Sequence, residues 1–329
     1  MPRIVRFYET GEADVLKIED LPLTEPGTGE VRLKVEAIGL NRAEVMFRRG
    51  QYLETPIFPS RLGYEAAGTV DVVGPDTSGI RVGDRVSTIP SFSVGQYGVY
   101  GESAIVPAYA VARYPESLSS IEGAAVWMQY MTAYGALIEY GKLNRDNTVL
   151  ITAGSSSVGL AAIQITKASG ATAIATTRGS DKKAFLLEAG ADHVIVTEEE
   201  DLVEQVNTLT SGKGCRIVFD PIAGSTLEKL AEATAQEGMI FEYGALSSDS
   251  TPFPLFSALS KGLTIRGYTL FEIVSNPERL TRGKHYIYQG LESGKLQPII
   301  DRIFPLDEIV EAHRYMESNQ QKGKIVLTV

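Results

Sequence analysis

Residues 147–170, NTVLITAGSSSVGLAAIQITKASG, run from an apolar stretch through a small-residue turn into an amphipathic segment. That order is a β-strand feeding an α-helix whose first amides face a phosphate, and it commits the surrounding chain to a parallel sheet with helical crossovers. The turn itself, Gly154-Ser155-Ser156-Ser157-Val158-Gly159, matches the dinucleotide pattern G-x-G-x-x-G with Ser156 at the second glycine. Gly154 is expected to form the tight turn and Gly159 to bring helix close to strand, while Ser156 adds a small side chain and a hydroxyl.

The alternation continues to about residue 269. Strands are expected at NTVLITA, ATAIATT, DHVIV, CRIVFD, GMIFEYG and LTIRGYT, with helices at SSVGLAAIQITKAS, SDKKAFLLEAG, DLVEQVNTLTSG and STLEKLAEATAQ between them. This predicts an α/β fold with a doubly wound parallel Rossmann sheet over residues 125–269. The first 124 residues read as short alternating runs such as EVRLKVEAIGL and GTVDVVG, broken by PG, GPD and VGD turns. They predict a small irregular β domain, to which residues 270–329 return with a helix and a terminal strand. A chain of 329 residues exceeds what one core usually serves, in keeping with two domains.

With Lys+Arg 31 against Asp+Glu 41, the net charge of -10 argues against nucleic acid as a partner. One cysteine, Cys215, allows no internal disulfide and reads as a small buried apolar residue. No apolar run approaches a membrane span and the N-terminus lacks a signal-peptide core, so a cytoplasmic location is expected.

In a dinucleotide site the end of the second strand decides between NAD and NADP, because an acidic residue there grips the ribose hydroxyls. Here ATTRGSDKK places Thr177 and Arg178 at that end and Lys182 one helical turn on. Two cations suit a 2′-phosphate, so the expected cofactor is NADPH.

The stretches GEVRLKVEAIGLNRAEVMFRRGQY, LGYEAAGTV, VGDRV, WMQYMTAYGAL, ITAGSSSVGLAAIQI, GADHVI and GKIVLTV together resemble the medium-chain dehydrogenase/reductase superfamily, and within it the zinc-independent quinone oxidoreductases. The resemblance covers essentially the whole chain and implies that the first domain is GroES-like. Zinc alcohol dehydrogenases of that superfamily carry metal ligands where this chain has Asn41, Tyr64 and Met128; asparagine, tyrosine and methionine with only Glu65 nearby make no tetrahedral set. No metal is expected. His193, His285 and His313 are scattered among charged residues and read as surface or helix positions.

The resemblance also implies roles for single residues. Asn41 would face the nicotinamide ribose, Thr132 would reach the nicotinamide end, and Gly244, with Leu246 beside it, would let the backbone approach the carboxamide. Tyr52 stands where quinone reductases place a cleft tyrosine and where enoyl thioester reductases place a proton donor. Tyr64, Tyr130 and Phe271 would line the substrate cleft, joined by Met46 where the family often has a tyrosine. The expected function is hydride transfer from NADPH to a quinone or an α,β-unsaturated carbonyl, a small-molecule acceptor electrophilic enough to need no Lewis acid. Two alternatives stay open: an enoyl thioester reductase with Tyr52 as acid, for which Arg48 and Arg49 hint at a carrier surface although adjacent arginines are usually solvated, and an NADPH-binding protein with a structural or regulatory role. The sixth strand, LTIRGYT, would leave an open sheet edge, which predicts a homodimer.

Overall fold

The computed structural model describes residues 1–329 and contains two compact units, Met1–Met128 with Pro298–Val329, and Gln129–Gln297. The first unit opens with β1 (Arg3–Arg6) and β2 (Lys17–Asp20), an antiparallel pair, then β3 (Glu30–Gly39) and helix α1 (Arg42–Arg48). There follow β4 (Glu65–Val73), β5 (Arg85–Thr88), α2 (Val94–Tyr97), β6 (Ser103–Pro107), β7 (Val111–Ala112), α3 (Ser120–Gly123) and the start of α4 (Trp127–Tyr134). Strand β3 shows why this region is a sheet: Val31, Leu33, Val35 and Ala37 are buried at every second position while Lys34 and Glu36 face water. It pairs antiparallel with both β4 and β6.

The second unit carries β8 (Thr148–Ile151), α5 (Ser157–Ala168), β9 (Thr172–Thr177), α6 (Lys183–Glu188), β10 (His193–Val196), α7 (Leu202–Leu209), β11 (Cys215–Asp220), α8 (Thr226–Ala233), β12 (Thr234–Glu242), α9 (Leu255–Lys261) and β13 (Thr264–Gly267). Its sheet is parallel throughout in the order β10-β9-β8-β11-β12-β13. The chain crosses from one half to the other between β8 and β11, so the C-terminal ends of those two strands flank the crevice where open α/β sheets bind ligands. Leu150, Ile174, Ile195, Val218, Leu227, Leu230 and Ile240 pack together on one face.

Two sequence expectations change here. Thr234–Gln236 has helical spacing with the residues before it but belongs to β12, because the backbone turns extended at Thr234 and its hydroxyl closes α8 on the Leu230 carbonyl at 2.6 Å. Residues 270–297 sit with the second unit rather than the first. They form α10 (Phe271–Val274) and α11 (Pro277–Glu292), held there by aromatic and cationic side chains. The Tyr286 ring lies 5.2 Å from that of Tyr134, and Arg279 donates to the Tyr140 hydroxyl at 2.7 Å.

The chain then completes the first unit with β14 (Ile300–Pro305), α12 (Ile309–Glu317) and β15 (Lys324–Thr328). Strand β15 slots between β14 and β3, with Val326 opposite Gly39, giving the order β14-β15-β3-β4-β5-β7 with β6 also on β3. No helix is long and apolar enough to cross a membrane.

Candidate active site

In the second unit the phosphate turn leaves β8 and enters α5, with Ser156 as the helix N-cap; its hydroxyl accepts from the Gly159 amide at 3.0 Å. The serine at the second glycine position is therefore a cap, which fixes the helix start and leaves other first-turn amides pointing outward. The left-handed residue of the turn is Ala153 (φ 46°), not Gly154, which instead lies against the Ala175 side chain and the Thr176 carbonyl. At Gly159 the helix start lies tight against the turn: a Cβ there would meet the Ala153 and Gly154 carbonyl oxygens at 2.7 Å.

At the end of β9, Thr177 is buried and donates to the Gly179 carbonyl at 3.2 Å, while Arg178 is exposed. Lys182 reaches back so that Nζ lies 3.3 Å from the Ser155 hydroxyl, which places one of the two cations on the phosphate turn itself.

At the crevice between β8 and β11 the sequence reading missed a buried acid pair. Asp220 ends β11, accepts from the Thr152 hydroxyl just beyond β8, and also accepts from the amides of Ile222 and Ala223 at 3.1 and 2.7 Å. On the next strand Glu242 has both carboxyl oxygens buried without a protein donor, and burial together with the Asp220 charge pushes it up to about 9. Glu242 is thus the protonated partner of the two. Tyr243 stacks on Phe219 at 4.0 Å beside them.

In the first unit, Tyr52 and Tyr64 form an edge-to-face pair with ring centroids 6.4 Å apart. Tyr64 is buried, and its hydroxyl shares a hydrogen bond with that of Tyr52, a bond that favours ionisation of Tyr52 and opposes that of Tyr64. Burial still outweighs that bond at Tyr52 and pushes it up to about 12, so both phenols stay protonated at neutral pH.

Behind this pair lies a charged cluster. The Lys324 ammonium, with no exposed side-chain surface, donates to Asn41 Oδ1 at 2.6 Å and to Glu65 Oε2. The other oxygen of Glu65 accepts from the Met128 amide at 2.8 Å. Glu44 reaches back from α1 to accept from the Asn41 amide at 2.5 Å and, through its second oxygen, from Asn41 Nδ2 at 3.2 Å and the Tyr64 amide at 3.0 Å. Asn41 Nδ2 also donates to the Gly39 carbonyl at 3.3 Å. Burial pushes Glu44 up to about 7 despite the nearby Lys324 charge.

The remaining expected residues divide. Met46 is half-buried on α1, Phe271 half-buried on α10, and Thr132 buried in α4. Tyr130 is buried, and its hydroxyl donates to Gln164 at 2.7 Å. The missing side chain of Gly244 serves the approach of Pro221, whose carbonyl a Cβ would meet at 2.9 Å, and Leu246 is exposed with its amide on that same carbonyl. His313 is fully buried, not on the surface, and burial with the charges of Arg48 and Arg42 drives it down to about 3. Arg48 is likewise buried and paired with Glu317 at 2.7 Å, while Arg49 is the exposed member of the two.

No group of three or more His, Cys, Asp or Glu side chains comes together to hold a metal ion. Two family models match the chain, an alcohol dehydrogenase GroES-like domain over residues 27–116 and a zinc-binding dehydrogenase over residues 157–282. The human quinone oxidoreductase is 31% identical over 327 residues, 99% of this chain and 97% of the relative. The chain belongs to the quinone oxidoreductase family. It is an oxidoreductase of the medium-chain dehydrogenase/reductase superfamily that lacks the zinc ligands of the alcohol dehydrogenases in that superfamily. Among solved structures, the Escherichia coli quinone oxidoreductase complexed with NADPH superposes with a TM-score of 0.92 at 29% identity, covering 99% of this chain and 100% of that one. An NAD-dependent alcohol dehydrogenase superposes with a TM-score of 0.92 at 31% identity, covering 99% of each chain.

Sequence reasoning missed Lys324 and Glu44. The signals were present: Asn41-x-x-Glu44 is capping-box spacing, and Lys324 and Glu65 are single charges at the starts of the apolar strands KIVLT and EAAGTV. A lone charge on a buried strand is a demand for a partner.

Proposed function

We propose that this chain is an NADPH-dependent, metal-free reductase that delivers hydride to a quinone or an α,β-unsaturated carbonyl, with Tyr52, Tyr64 and Asn41 serving the acceptor. The observation that carries this reading is the hydrogen-bonded Tyr52–Tyr64 pair, tied through Glu44 to Asn41, whose carboxamide bonds an ammonium where a metal-using relative would need a ligand. An ammonium at that place repels a divalent cation and polarises no substrate oxygen directly, so the acceptor must be electrophilic by itself.

The second unit would hold the cofactor: the Ser156-capped start of α5 the pyrophosphate, Arg178 and Lys182 the 2′-phosphate. NADPH, when bound, supplies the hydride. The side chains orient the acceptor and supply hydrogen bonds to the oxygen on which charge collects, with the half-buried Tyr52 phenol as donor. Met46 would contribute apolar surface on the first unit and Phe271 on the second, where Thr132, Thr177, Gly244 and Leu246 would make up the rest of the cofactor surroundings. An enoyl thioester reductase remains the second reading, favoured by the same available Tyr52 proton.

Assembly as a homodimer through β13 belongs to this reading. Strand β13 ends the sheet with one edge unpaired, and the adjoining segment exposes Phe253 (62%), Phe256 (83%) and Leu259 (70%), apolar surface that a second copy would cover. A cytoplasmic setting fits the one cysteine, Cys215, whose thiol burial pushes up to about 12.

Titration of NADPH and NADH by fluorescence, with wild type and Arg178→Ala, tests the cofactor assignment. A charge-assisted contact of about 1.5 to 3 kcal/mol predicts roughly one to two decades of NADPH preference lost in the variant. Equal affinity of wild type for the two cofactors would defeat it. A stopped-flow screen against quinones, enals and enoyl thioesters then names the acceptor class.

A further inference from the structure

Asn41 and Tyr64 are held from behind by two groups that never reach the surface. The orientation of the Asn41 carboxamide is set electrostatically: turned by half a rotation, it would put its NH2 against the Lys324 ammonium and its oxygen against the Glu44 carboxylate. The Glu44 oxygens in turn receive three N–H groups, two from Asn41 and one from the main chain of Tyr64. We propose that Lys324 and Glu44 are positioning residues for the reaction: the ammonium fixes the carbonyl end of Asn41, the carboxylate fixes its NH2 end and the Tyr64 backbone, and together they present the amide and the tyrosine pair in one geometry. The inference rests on the reading that these side chains serve the acceptor.

The geometry singles out this function over plain packing for two reasons. A buried lysine in a strand is costly, and an apolar side chain of similar volume often serves stability as well or better. The fold nevertheless makes room for it: a Cβ on Gly39 would meet Lys324 Cε at 2.8 Å and the Ala124 carbonyl at 1.9 Å, so glycine keeps the path of the lysine stem open. Glu44, for its part, acts as acceptor in every bond it makes here, so the clasp is complete only when it is ionised. The titratable groups facing it are Lys324 from β15, Glu65 from β4, and Tyr52, Tyr64 and Tyr100 from the loops. Lys324 favours its ionised form and Glu65 opposes it, Lys324 being the stronger influence.

Those opposed influences give a test that packing alone would not pass. Steady-state reduction of a quinone by NADPH is followed from pH 5.5 to 9 in wild type, Glu65→Gln and Lys324→Met/Glu65→Gln, with NADPH affinity measured beside it. Wild type should show a falling acid limb of kcat near pH 7. Glu65→Gln removes the opposing charge and should move that limb to lower pH. The double variant loses both charges, the stronger included, and should move it to higher pH while lowering kcat by roughly 10- to 100-fold, the penalty of a misplaced group. Its NADPH dissociation constant should stay within about threefold of wild type, because the pyrophosphate and 2′-phosphate contacts proposed above lie elsewhere. Shifts of the same sign in both variants, or no acid limb in wild type, would overturn the proposal. Should the double variant not fold, the direction of the Glu65→Gln shift decides alone. Wild type that turns over none of the acceptors would instead overturn the functional reading, a result separable from either.

Discussion

Replacing Tyr52 by phenylalanine removes two things at once, and the structure allows each to be weighed. The first is a hydrogen bond: Tyr64 is buried at 1% exposure and shares a bond with the Tyr52 hydroxyl, so Tyr52→Phe takes a partner from an interior hydroxyl. That should cost about 1 to 3 kcal/mol of stability, the range for a buried polar group deprived of a partner. Tyr64→Phe should cost less, about 1 kcal/mol, because Tyr52 is half-exposed and water can replace what it loses. Since the shared bond is lost only once, the double variant should be less destabilised than the two singles added, with a coupling of about 1 kcal/mol. Urea unfolding of the four proteins measures this. The second loss is the Tyr52 proton. With a quinone, the single proton that completes the hydroquinone goes to oxygen and can come from solvent after hydride arrives, so Tyr52→Phe should slow turnover less than about tenfold. With an enoyl thioester, the carbon must be protonated inside the site, and the loss should be roughly 100-fold or more. Additive stabilities would refute the tyrosine bond, and a loss beyond about 100-fold with a quinone would make Tyr52 an obligatory acid and the solvent-protonation reasoning wrong.

Three further outcomes follow from other parts of the molecule. Glu242 is raised to about 9 in the folded chain, so between the unfolded carboxylate value and that pH the native state keeps a proton the unfolded state has lost, and stability falls as pH rises across that window. Glu242→Gln should flatten this fall and stabilise the protein at pH 8 by the order of 1 to 3 kcal/mol in thermal or urea unfolding; destabilisation there would contradict the protonated pair. Dialysis against a strong chelator should leave turnover unchanged, and stoichiometric zinc found by elemental analysis would defeat the metal-free assignment. Phe256→Asp should shift the sedimentation coefficient from dimer to monomer at micromolar concentration, whereas a wild type that is already monomeric would remove the β13 interface.

The second unit was largely readable in advance because each of its strands is a short apolar run closed by turn residues, and periods of two and of 3.6 do not resemble each other. Cys215–Asp220 is the strand that CRIVFD predicts, residue for residue. Reading failed where tertiary contact overrides local pattern. Pro277–Glu292 has ordinary amphipathic spacing, and nothing local tells which core its apolar face will join. The charged cluster was hidden for a related reason: Asn41, Glu65 and Lys324 are brought together by the register of β3, β4 and β15, a relation among distant strands that one sequence does not display. Thr152, Asp220 and Glu242 likewise meet only because β8, β11 and β12 lie side by side.

The place of β15 has a consequence for how the chain comes to life. Residues 129–297 form one uninterrupted stretch, whereas the first unit, begun earlier in the chain, stays unfinished until the segment from 298 onward is added. Until then one edge of β3 lacks its neighbour and Glu65 lacks its cation. The element that closes the sheet is also the one that brings the ammonium to Asn41, so the proposed clasp can form only once the first unit is complete.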